Sequence, residues 1–260
     1  MSYTLEDKMN KIEVLDNGYV SFIDSWGSDE SIIEAARMST GKGFLGWGPK
    51  HAPNCPEALH DGADIACDCG MNTPGDEKLL AFLYNNKHST PFEMAGMVIE
   101  VKAPIFVFRE WHRHRTQSYN EMSARYIPLP DENYVPSIKR LMFGANTATT
   151  NKQAQGTGKQ LTEEEAYNWL SELEAGYARC QEIYEEGIAA GIPKELARLP
   201  VPVARYSRMR ASANLRNWLA FLTLRQAPAA QWEIREFANA VGSLISERFP
   251  RTWKLFVAGK

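Results

Sequence analysis

The sequence predicts an α+β fold, with a mixed or antiparallel sheet packed against several long helices. Strand-like segments lie at residues 18–24, 94–101 and 201–210, and apolar stripes of helical period fill much of the second half. No clear linker divides the 260 residues. We therefore expect residues 1–260 to form one domain, which is long enough to bury a core of adequate size.

The first half of the chain predicts two strands and three helices. After the strand at residues 18–24, Ser28 is expected to cap a helix, because acidic residues and an apolar stripe follow it. A stripe of leucines predicts a second helix over residues 76–86. The strand at residues 94–101 leads to a mostly apolar helix over residues 104–111, which begins with a proline.

Longer helices are predicted in the second half. Thr162 and Glu165 form a capping box for a long helix, whose apolar stripe places Cys180 on the buried face. Gly191 and the proline that follows end this helix. The remaining predicted elements are a short helix over residues 193–198, a strand over 201–210, a helix from Ser212 or Ala213, and a last helix from about Ala230.

A long irregular segment separates the first two predicted helices. Residues 41–75 are rich in Gly and Pro and have no amphipathic period. The segment contains residue types that bind zinc, in a spacing that matches no familiar zinc motif: His51, Cys55, His60, Cys67 and Cys69. A flexible inserted loop and a zinc site both remain open, and we favour the loop and expect no metal.

Composition and charge exclude several classes of protein. A formal net charge of −3 argues against a general polyanion binder. The N-terminus lacks the apolar region of a secretory signal, and no run approaches the roughly 18 apolar residues of a membrane span. Four unevenly placed cysteines do not suggest a disulfide framework. We expect reduced thiols, a cytoplasmic location, and no membrane or nucleic-acid partner.

The segment from Arg113 to Tyr126, RHRTQSYNEMSARY, follows neither amphipathic period. Its three arginines predict an anionic ligand, because guanidinium matches phosphate or carboxylate with a rigid fork of donors. The polar residues between them can bind a heterocycle or a ribose. Ser123 is a conceivable nucleophile with His114 as its base, although nothing in the sequence shows that they are adjacent. A solvated loop remains the alternative.

A second group of arginines lies further along the chain. Six arginines and no lysine or acidic residue occur between Arg198 and Arg225, which favours an anionic site over a solvated face. On the helix predicted there, Asn214 and Arg225 fall within about 20° of each other and roughly 16 Å apart along the axis. One helix face could therefore contact both ends of an extended set of ligands.

A nucleic-acid-binding module is an alternative of another class. In that hypothesis the arginines contact phosphates, while Trp111, Tyr119 and Tyr126 stack on bases. The acidic net charge argues against this alternative.

The 113–126 segment contains Arg-His-Arg, seven residues and Ser. Further motifs lie at fixed distances from it: HSTPFE at residues 88–93, Asn214-Leu215-Arg216, Leu224-Arg225 and Gln231-Trp232-Glu233. On these motifs the chain resembles the flavin-dependent thymidylate synthases over roughly residues 12–256. The resemblance implies reductive methylation of dUMP to dTMP. Methylenetetrahydrofolate is then the carbon donor, reduced FAD the hydride donor and NADPH the reductant of the flavin. It also implies no cysteine nucleophile and a homotetramer with shared active sites.

Carried over by position, the resemblance implies contacts with FAD and with dUMP. The positions that match FAD contacts are Thr90, Arg113, His114, Arg115, Glu121, Asn214 and Arg216. The positions for dUMP are His88, Glu110, Arg113, Glu121, Ser123, Arg125, Arg198 and Arg225. Arg225 is the expected catalytic residue, because a fixed cation beside N3 and O4 of the uracil stabilises negative charge that develops on the ring.

Four departures from the family pattern stand out. Glu110 occupies a position where many members have a glutamine, and we expect its charge to be paired with Arg109 or Arg113. Ala220 replaces a polar residue that contacts the flavin in some relatives. The segment before Gln231 lacks a histidine that is often found there, and the segment at residues 41–75 is longer than is usual in the family.

Overall fold

The computed structural model describes residues 11–48, 75–146 and 160–259. These residues form a five-stranded antiparallel sheet in the order β1-β2-β3-β5-β4, and helices accompany it. The predicted α+β class is therefore confirmed. β1 pairs antiparallel with β2, and β4 pairs antiparallel with β5. The strands are β1 Lys11–Val14, β2 Gly18–Trp26, β3 Gly96–Pro104, β4 Ser118–Glu121 and β5 Tyr206–Asn214.

Two helices begin at the caps that the sequence predicts. The Ser28 side chain accepts a hydrogen bond from the Ser31 N–H, and Thr162 and Glu165 form the predicted capping box. The helices are α1 Asp29–Arg37, α2 Asp76–Asn85, α3 Ile105–Trp111, α4 Ile138–Asn146, α5 Glu163–Ala189, α6 Lys194–Ala197, α7 Leu215–Arg225, α8 Trp232–Arg248 and α9 Pro250–Ala258. Across the described ranges, no helix combines the length and the hydropathy that crossing a membrane requires.

Several boundaries differ from the sequence-based expectation. The helix predicted from Ser212 or Ala213 begins at Leu215, because β5 continues to Asn214. β5 begins at Tyr206, not at residue 201, because the preceding residues form turns in which the Arg205 N–H bonds to the Pro202 carbonyl. The last predicted helix is two helices, α8 and α9. The break falls at Phe249, because Pro250 starts a new helix and has no N–H to continue the old one.

Cys180 on α5 is only half-buried, so the prediction that it belongs to the core is wrong. The long helix buries only Ala166, Tyr184 and Gly187, and the rest of its apolar stripe remains partly accessible. The sequence pattern identifies which face of a helix is apolar. It does not determine how deeply the rest of one chain covers that face.

The contacts of the chain divide it into two compact units. The first comprises Met1–Asp24, Val98–Ala213 and Ala220–Leu244, so far as these ranges are described. Its core includes Trp111, Tyr206, Phe221, Phe237 and Val241, all without measurable exposure. Burial of such large aromatic and aliphatic side chains is the main stabilising contribution in a unit of this kind.

The second unit comprises Ser25–Met97, Asn214–Leu219 and Ile245–Lys260, again within the described residues. Its core includes Ile32, Ile33 and Trp218, and the Trp218 indole N–H donates to the Met97 carbonyl at 3.0 Å. Asp29 joins α1 to α9, because its carboxylate accepts from the Thr252 hydroxyl at 2.6 Å and from the Arg251 N–H at 2.8 Å. The buried carboxylate thus caps the start of α9.

Asp76, at the start of α2, joins α1 to Leu45 and Gly46. Its carboxylate is fully buried and accepts from Arg37 Nε at 2.8 Å. It also accepts from the backbone N–H groups of Leu45 and Gly46 at 2.6 and 2.8 Å. Burial raises the pKa of this carboxyl, but the bonds from Arg37 and the two N–H groups outweigh burial and lower it. The lowered pKa keeps Asp76 ionised in the folded protein at neutral pH.

Asp76→Ala should destabilise the second unit by about 3 kcal/mol at neutral pH, because it leaves the Arg37 cation and two backbone N–H groups without their acceptor. The matched control is Glu77→Ala, which removes a neighbouring carboxylate that is half-exposed in an ion pair with Arg251. The control should cost less than about 1 kcal/mol. Urea unfolding of both variants measures the difference, and equal losses would contradict the structural role of Asp76.

The cost of Asp76→Ala should also depend on pH in one direction. Because the folded-state pKa lies below the ordinary value of 3.8, the carboxylate contributes its stability above that value. The contribution is lost as the pH falls through the lower folded-state pKa. The difference in unfolding free energy between wild type and variant should therefore be constant from about pH 8 to pH 5 and shrink below about pH 4.

Candidate functional site

The arginine-rich segment forms a closed turn between α3 and β4. Trp111 ends α3 and is fully buried, and its indole N–H donates to Gln117 Oε1 at 3.0 Å. The Tyr119 hydroxyl donates to the His114 carbonyl at 2.7 Å, and burial raises the pKa of that phenol. These two bonds fix the turn from both sides. The side chains of the Arg-His-Arg cluster are therefore presented from a constrained backbone.

Gln117 is a residue of this turn that the sequence did not single out. Its orientation follows from Trp111, because an indole N–H needs the amide oxygen as acceptor. The amide nitrogen is then buried and bonds no atom of the described residues. No sequence signal marks this residue, since glutamine in a polar segment is unremarkable in composition.

Arg225, Glu110 and His114 are in direct contact. Nη1 of Arg225 donates to Glu110 Oε2 at 2.8 Å, and Nη2 donates to the Glu110 carbonyl at 2.8 Å. Nε donates to His114 Nε2 at 2.9 Å. The Arg225 side chain is only 16% exposed, whereas that of Glu110 is 44% exposed. The guanidinium is thus the enclosed member of the pair, and the carboxylate reaches solvent.

This contact corrects the expected partner of Glu110. The sequence suggested Arg109 or Arg113, which are its neighbours in the chain. The carboxylate instead pairs with Arg225, which lies 115 residues away. Glu110 and Arg225 lie in the last turns of α3 and α7, so the packing of the two helices determines the pairing.

His114 is held as a neutral base. Burial and the nearby Arg225 cation lower the pKa of its imidazole to about 4, and the Glu110 charge opposes both. The Phe221 ring meets the imidazole edge to face, with centroids 4.9 Å apart. Because Nε2 accepts the bond from Arg225, the ring proton is assigned to Nδ1.

Other predicted residues of this segment face solvent. Arg113, Arg115 and Glu121 are exposed, and their side chains make no hydrogen bond or ion pair with another described residue. Guanidinium groups without an internal partner remain able to bind an external anion. The structure therefore keeps the cations of the turn accessible.

Ser123, Arg125 and Arg198 lie near the short helix α6. Ser123 Oγ accepts from the Arg125 N–H at 3.3 Å, and Arg125 Nε lies 4.0 Å from Glu195 in a largely exposed ion pair. Such a pair contributes little. Arg198 is the C-cap of α6 and is exposed. The Ser123 hydroxyl makes no hydrogen bond to His114 in the structure, so nothing supports a Ser-His nucleophile.

The predicted residues of the second unit cluster at the start of α7. Arg216 Nη1 bonds to Glu93, the last residue of the 3₁₀ turn Thr90–Glu93. Asn214 Oδ1 accepts from the Asn217 N–H at 3.0 Å and so caps α7. The Thr90 turn and the Asn214–Arg216 segment are thus brought together. His88 precedes them, exposed, with its ring 5.4 Å from that of Phe82.

The second arginine group does not act as one anion site. Arg205 is fully buried and bonds to Asn133 Oδ1, to the Pro130 carbonyl and to Gln181 Oε1 at 2.8–3.1 Å. Its role is internal. Arg210 Nε lies 3.6 Å from Glu100 across the sheet. The expected anion contacts are therefore limited to the other arginines of the group.

The residues of the zinc hypothesis, His51, Cys55, His60, Cys67 and Cys69, lie outside the described residues. Among the residues that are described, no group of three or more His, Cys, Asp or Glu side chains could hold a metal ion.

Comparisons with known proteins agree with the resemblance. Residues 21–251 match the family model described as thymidylate synthase complementing protein. A flavin-dependent thymidylate synthase of Thermus thermophilus is 36% identical over 246 residues, which cover 94% of this chain and 77% of the relative. That of Pseudothermotoga lettingae is 32% identical and covers 95% of this chain and 93% of the relative.

Solved structures give the same result. The UMP/dUMP methylase PolB from Streptomyces cacaoi, bound with 5-Br dUMP, superposes with a TM-score of 0.72 at 28% identity. The match covers 95% of this chain and 97% of that chain. The same enzyme bound with 5-Br UMP gives a TM-score of 0.73 at 27% identity, with coverage of 95% and 96%. The chain therefore belongs to the flavin-dependent thymidylate synthases, a family of methyltransferases.

Proposed function

We propose that this protein converts dUMP to dTMP, with methylenetetrahydrofolate as carbon donor and reduced FAD as hydride donor. NADPH then reduces the flavin again. The observation that carries the proposal is the enclosed Arg225 guanidinium, held by Glu110 and His114 in a member of this family. No side chain can supply a one-carbon unit or a hydride, so both must come from cofactors.

The proposal includes no cysteine nucleophile. Among the described residues Cys180 is the free cysteine, and it lies half-buried on α5, a helix that carries none of the proposed site residues. Cys55, Cys67 and Cys69 lie outside the described residues. When bound, reduced FAD supplies the hydride, so the ring need not be activated by a thiolate.

The donor groups fit a flavin dinucleotide. Arg113 and Arg115 offer two accessible guanidinium groups for a pyrophosphate, and His114 and Glu121 add a neutral imidazole and a carboxylate. Thr90, Asn214 and Arg216 match further flavin positions of the family and provide a hydroxyl, an amide and a further cation. We assign these seven residues to FAD: Thr90, Arg113, His114, Arg115, Glu121, Asn214 and Arg216.

The nucleotide is proposed to bind through its phosphate and its pyrimidine edge. Ser123, Arg125 and Arg198 contact the phosphate, because they combine a hydroxyl with two exposed cations around α6. Arg225 faces the pyrimidine. His88, Arg113 and Glu121 complete the proposed contacts.

Arg225 is the proposed catalytic residue, and its role is to stabilise negative charge on the uracil ring. Three of its five N–H donors bond to Glu110 and His114, which leaves two that can donate to the O4 oxygen at the N3–O4 edge of the uracil. Negative charge that develops on the ring meets a cation that is already oriented and partly shielded from water. We further propose a homotetramer in which subunits share the active sites.

The proposed reaction predicts a strict set of requirements. Purified protein supplied with FAD, NADPH, methylenetetrahydrofolate and dUMP should form dTMP, and omission of any one component should abolish product. UMP in place of dUMP is an informative additional substrate, because PolB is a UMP/dUMP methylase. Chromatographic detection of dTMP measures the outcome, and product formed without any flavin would overturn the proposal.

Arg225→Ala should lower kcat about 100-fold at saturating dUMP, which corresponds to the ~3 kcal/mol of one preorganised donor. Flavin content should change little. Arg225→Lys keeps the charge but removes the fork, so it should remain at least about tenfold below wild type. Near-normal turnover of Arg225→Ala would refute the assigned role. Near-normal turnover of Arg225→Lys would show that Arg225 acts through its charge alone.

The His114 ring should stay neutral from about pH 7 to pH 5 and titrate with a pKa of about 4 in the free protein. Arg225→Ala removes a cation that disfavours the imidazolium, so it should raise this pKa, although burial should keep it below 6.5. NMR titration of the imidazole measures both values. The control Arg179→Ala, which removes an exposed cation of α5, should leave the His114 pKa unchanged.

A further inference from the structure

Two residues hold the Arg225 guanidinium in three directions. Nε bonds to the His114 imidazole, Nη1 to the Glu110 carboxylate and Nη2 to the Glu110 carbonyl, all at 2.8–2.9 Å. Three acceptors at different angles fix both the position and the plane of the group. A long arginine side chain without such acceptors would sample several rotamers.

Glu110 supplies two of these three acceptors. It lies in the last turn of α3, where its carbonyl accepts a long hydrogen bond of 3.4 Å from the Arg113 N–H. A carbonyl oxygen has two lone pairs, so it also accepts from Arg225. Its side chain then returns to the same guanidinium through Oε2. One residue therefore contacts both terminal nitrogens of Arg225.

The chemistry of Glu110 suits a cation better than a nucleotide. An ionised carboxylate only accepts hydrogen bonds, so it cannot donate to the carbonyl oxygens of a pyrimidine. Its charge also opposes a phosphate. Toward a guanidinium, in contrast, the same charge and geometry form a strong charge-assisted bond.

We propose that Glu110 is a positioning residue that orients Arg225 toward the substrate and does not itself bind the nucleotide. The inference rests on the proposed function, which gives Arg225 its place at the pyrimidine edge. It assigns Glu110 a role different from the substrate contact that its position in the family implies.

Kinetics of two variants test the inference. Glu110→Gln keeps an oxygen acceptor for Nη1, so kcat should fall less than about threefold. Glu110→Ala removes the acceptor, so kcat should fall at least about tenfold while KM for dUMP changes less than about twofold and flavin per subunit stays constant. A Glu110→Ala variant with normal kcat, or with its defect in KM for dUMP, would overturn the inference.

A double mutant separates positioning from direct contact. If Glu110 acts only through Arg225, Glu110→Ala should lower kcat no further in an Arg225→Ala background. An additional loss comparable to that in wild type would indicate an independent contact and contradict the proposal.

Glu132→Ala is the matched control, because the Lys102–Glu132 pair has a contact of 2.6 Å and exposures of 16% and 38%, close to those of Arg225 and Glu110. Its kcat should equal that of wild type.

A measurement that needs no turnover distinguishes this inference from the proposed function. The Arg225 Nε–H signal, assigned by its loss in Arg225→Ala, should exchange slowly with water in wild type and Glu110→Gln. It should exchange at least about tenfold faster in Glu110→Ala. Equal exchange in all three proteins would refute positioning even if dTMP is formed. Absence of dTMP in wild type, with the exchange difference present, would refute the proposed reaction and with it the purpose of the positioning.

Discussion

The arrangement around Arg225 depends on the burial of Trp111. The indole ring is fully enclosed and stacks on Phe221 with centroids 4.6 Å apart, which fixes α3 against α7. The same Phe221 ring supports the edge of His114 at 4.9 Å, and the indole N–H closes the turn through Gln117. Truncation of a buried tryptophan typically costs about 3–5 kcal/mol, whereas a typical hydrogen bond contributes about 0.5–1.5 kcal/mol, so the burial of the whole Trp111 side chain outweighs a typical single hydrogen bond. The polar residues can therefore be held in positions that their own hydrogen bonds would not maintain.

Arg205 and Arg225 show how similar residues acquire different roles from their surroundings. Arg205 is fully buried, and its guanidinium donates hydrogen bonds to internal acceptors on Asn133, Pro130 and Gln181. Arg225 is less enclosed and keeps two N–H donors that bond to no described residue. A buried cation with a complete set of acceptors stabilises the packing around it, whereas one with spare donors can act on a ligand. Both arginines belong to one group in the sequence, so only the folded environment distinguishes them.

Local signals predicted local structure well, and their failures have a common cause. The caps at Ser28 and Thr162 are correct because a capping side chain bonds within three residues of itself. The predicted burial of Cys180 was wrong because burial depends on how far the rest of the chain covers α5. The pairing of Glu110 with Arg225 was missed for the same reason, since two helices distant in sequence must first pack together. Sequence spacing can thus indicate candidate residues, but it cannot indicate their partners in the fold.

Family resemblance itself combines residues that support the fold with residues that carry chemistry. The Gln231-Trp232-Glu233 segment resembles the family, yet Glu233 is buried and accepts from the Tyr134 hydroxyl at 3.2 Å and from Arg140 Nε at 2.9 Å. Its contacts join the start of α8 to Tyr134, which precedes α4, and to Arg140 within α4, which is a structural task. Conversely, a substitution at a family position can preserve a hydrogen bond when the backbone, and not the side chain, supplies the acceptor. The bond from Arg225 Nη2 reaches the carbonyl of Glu110, and this acceptor is present whichever side chain occupies the position.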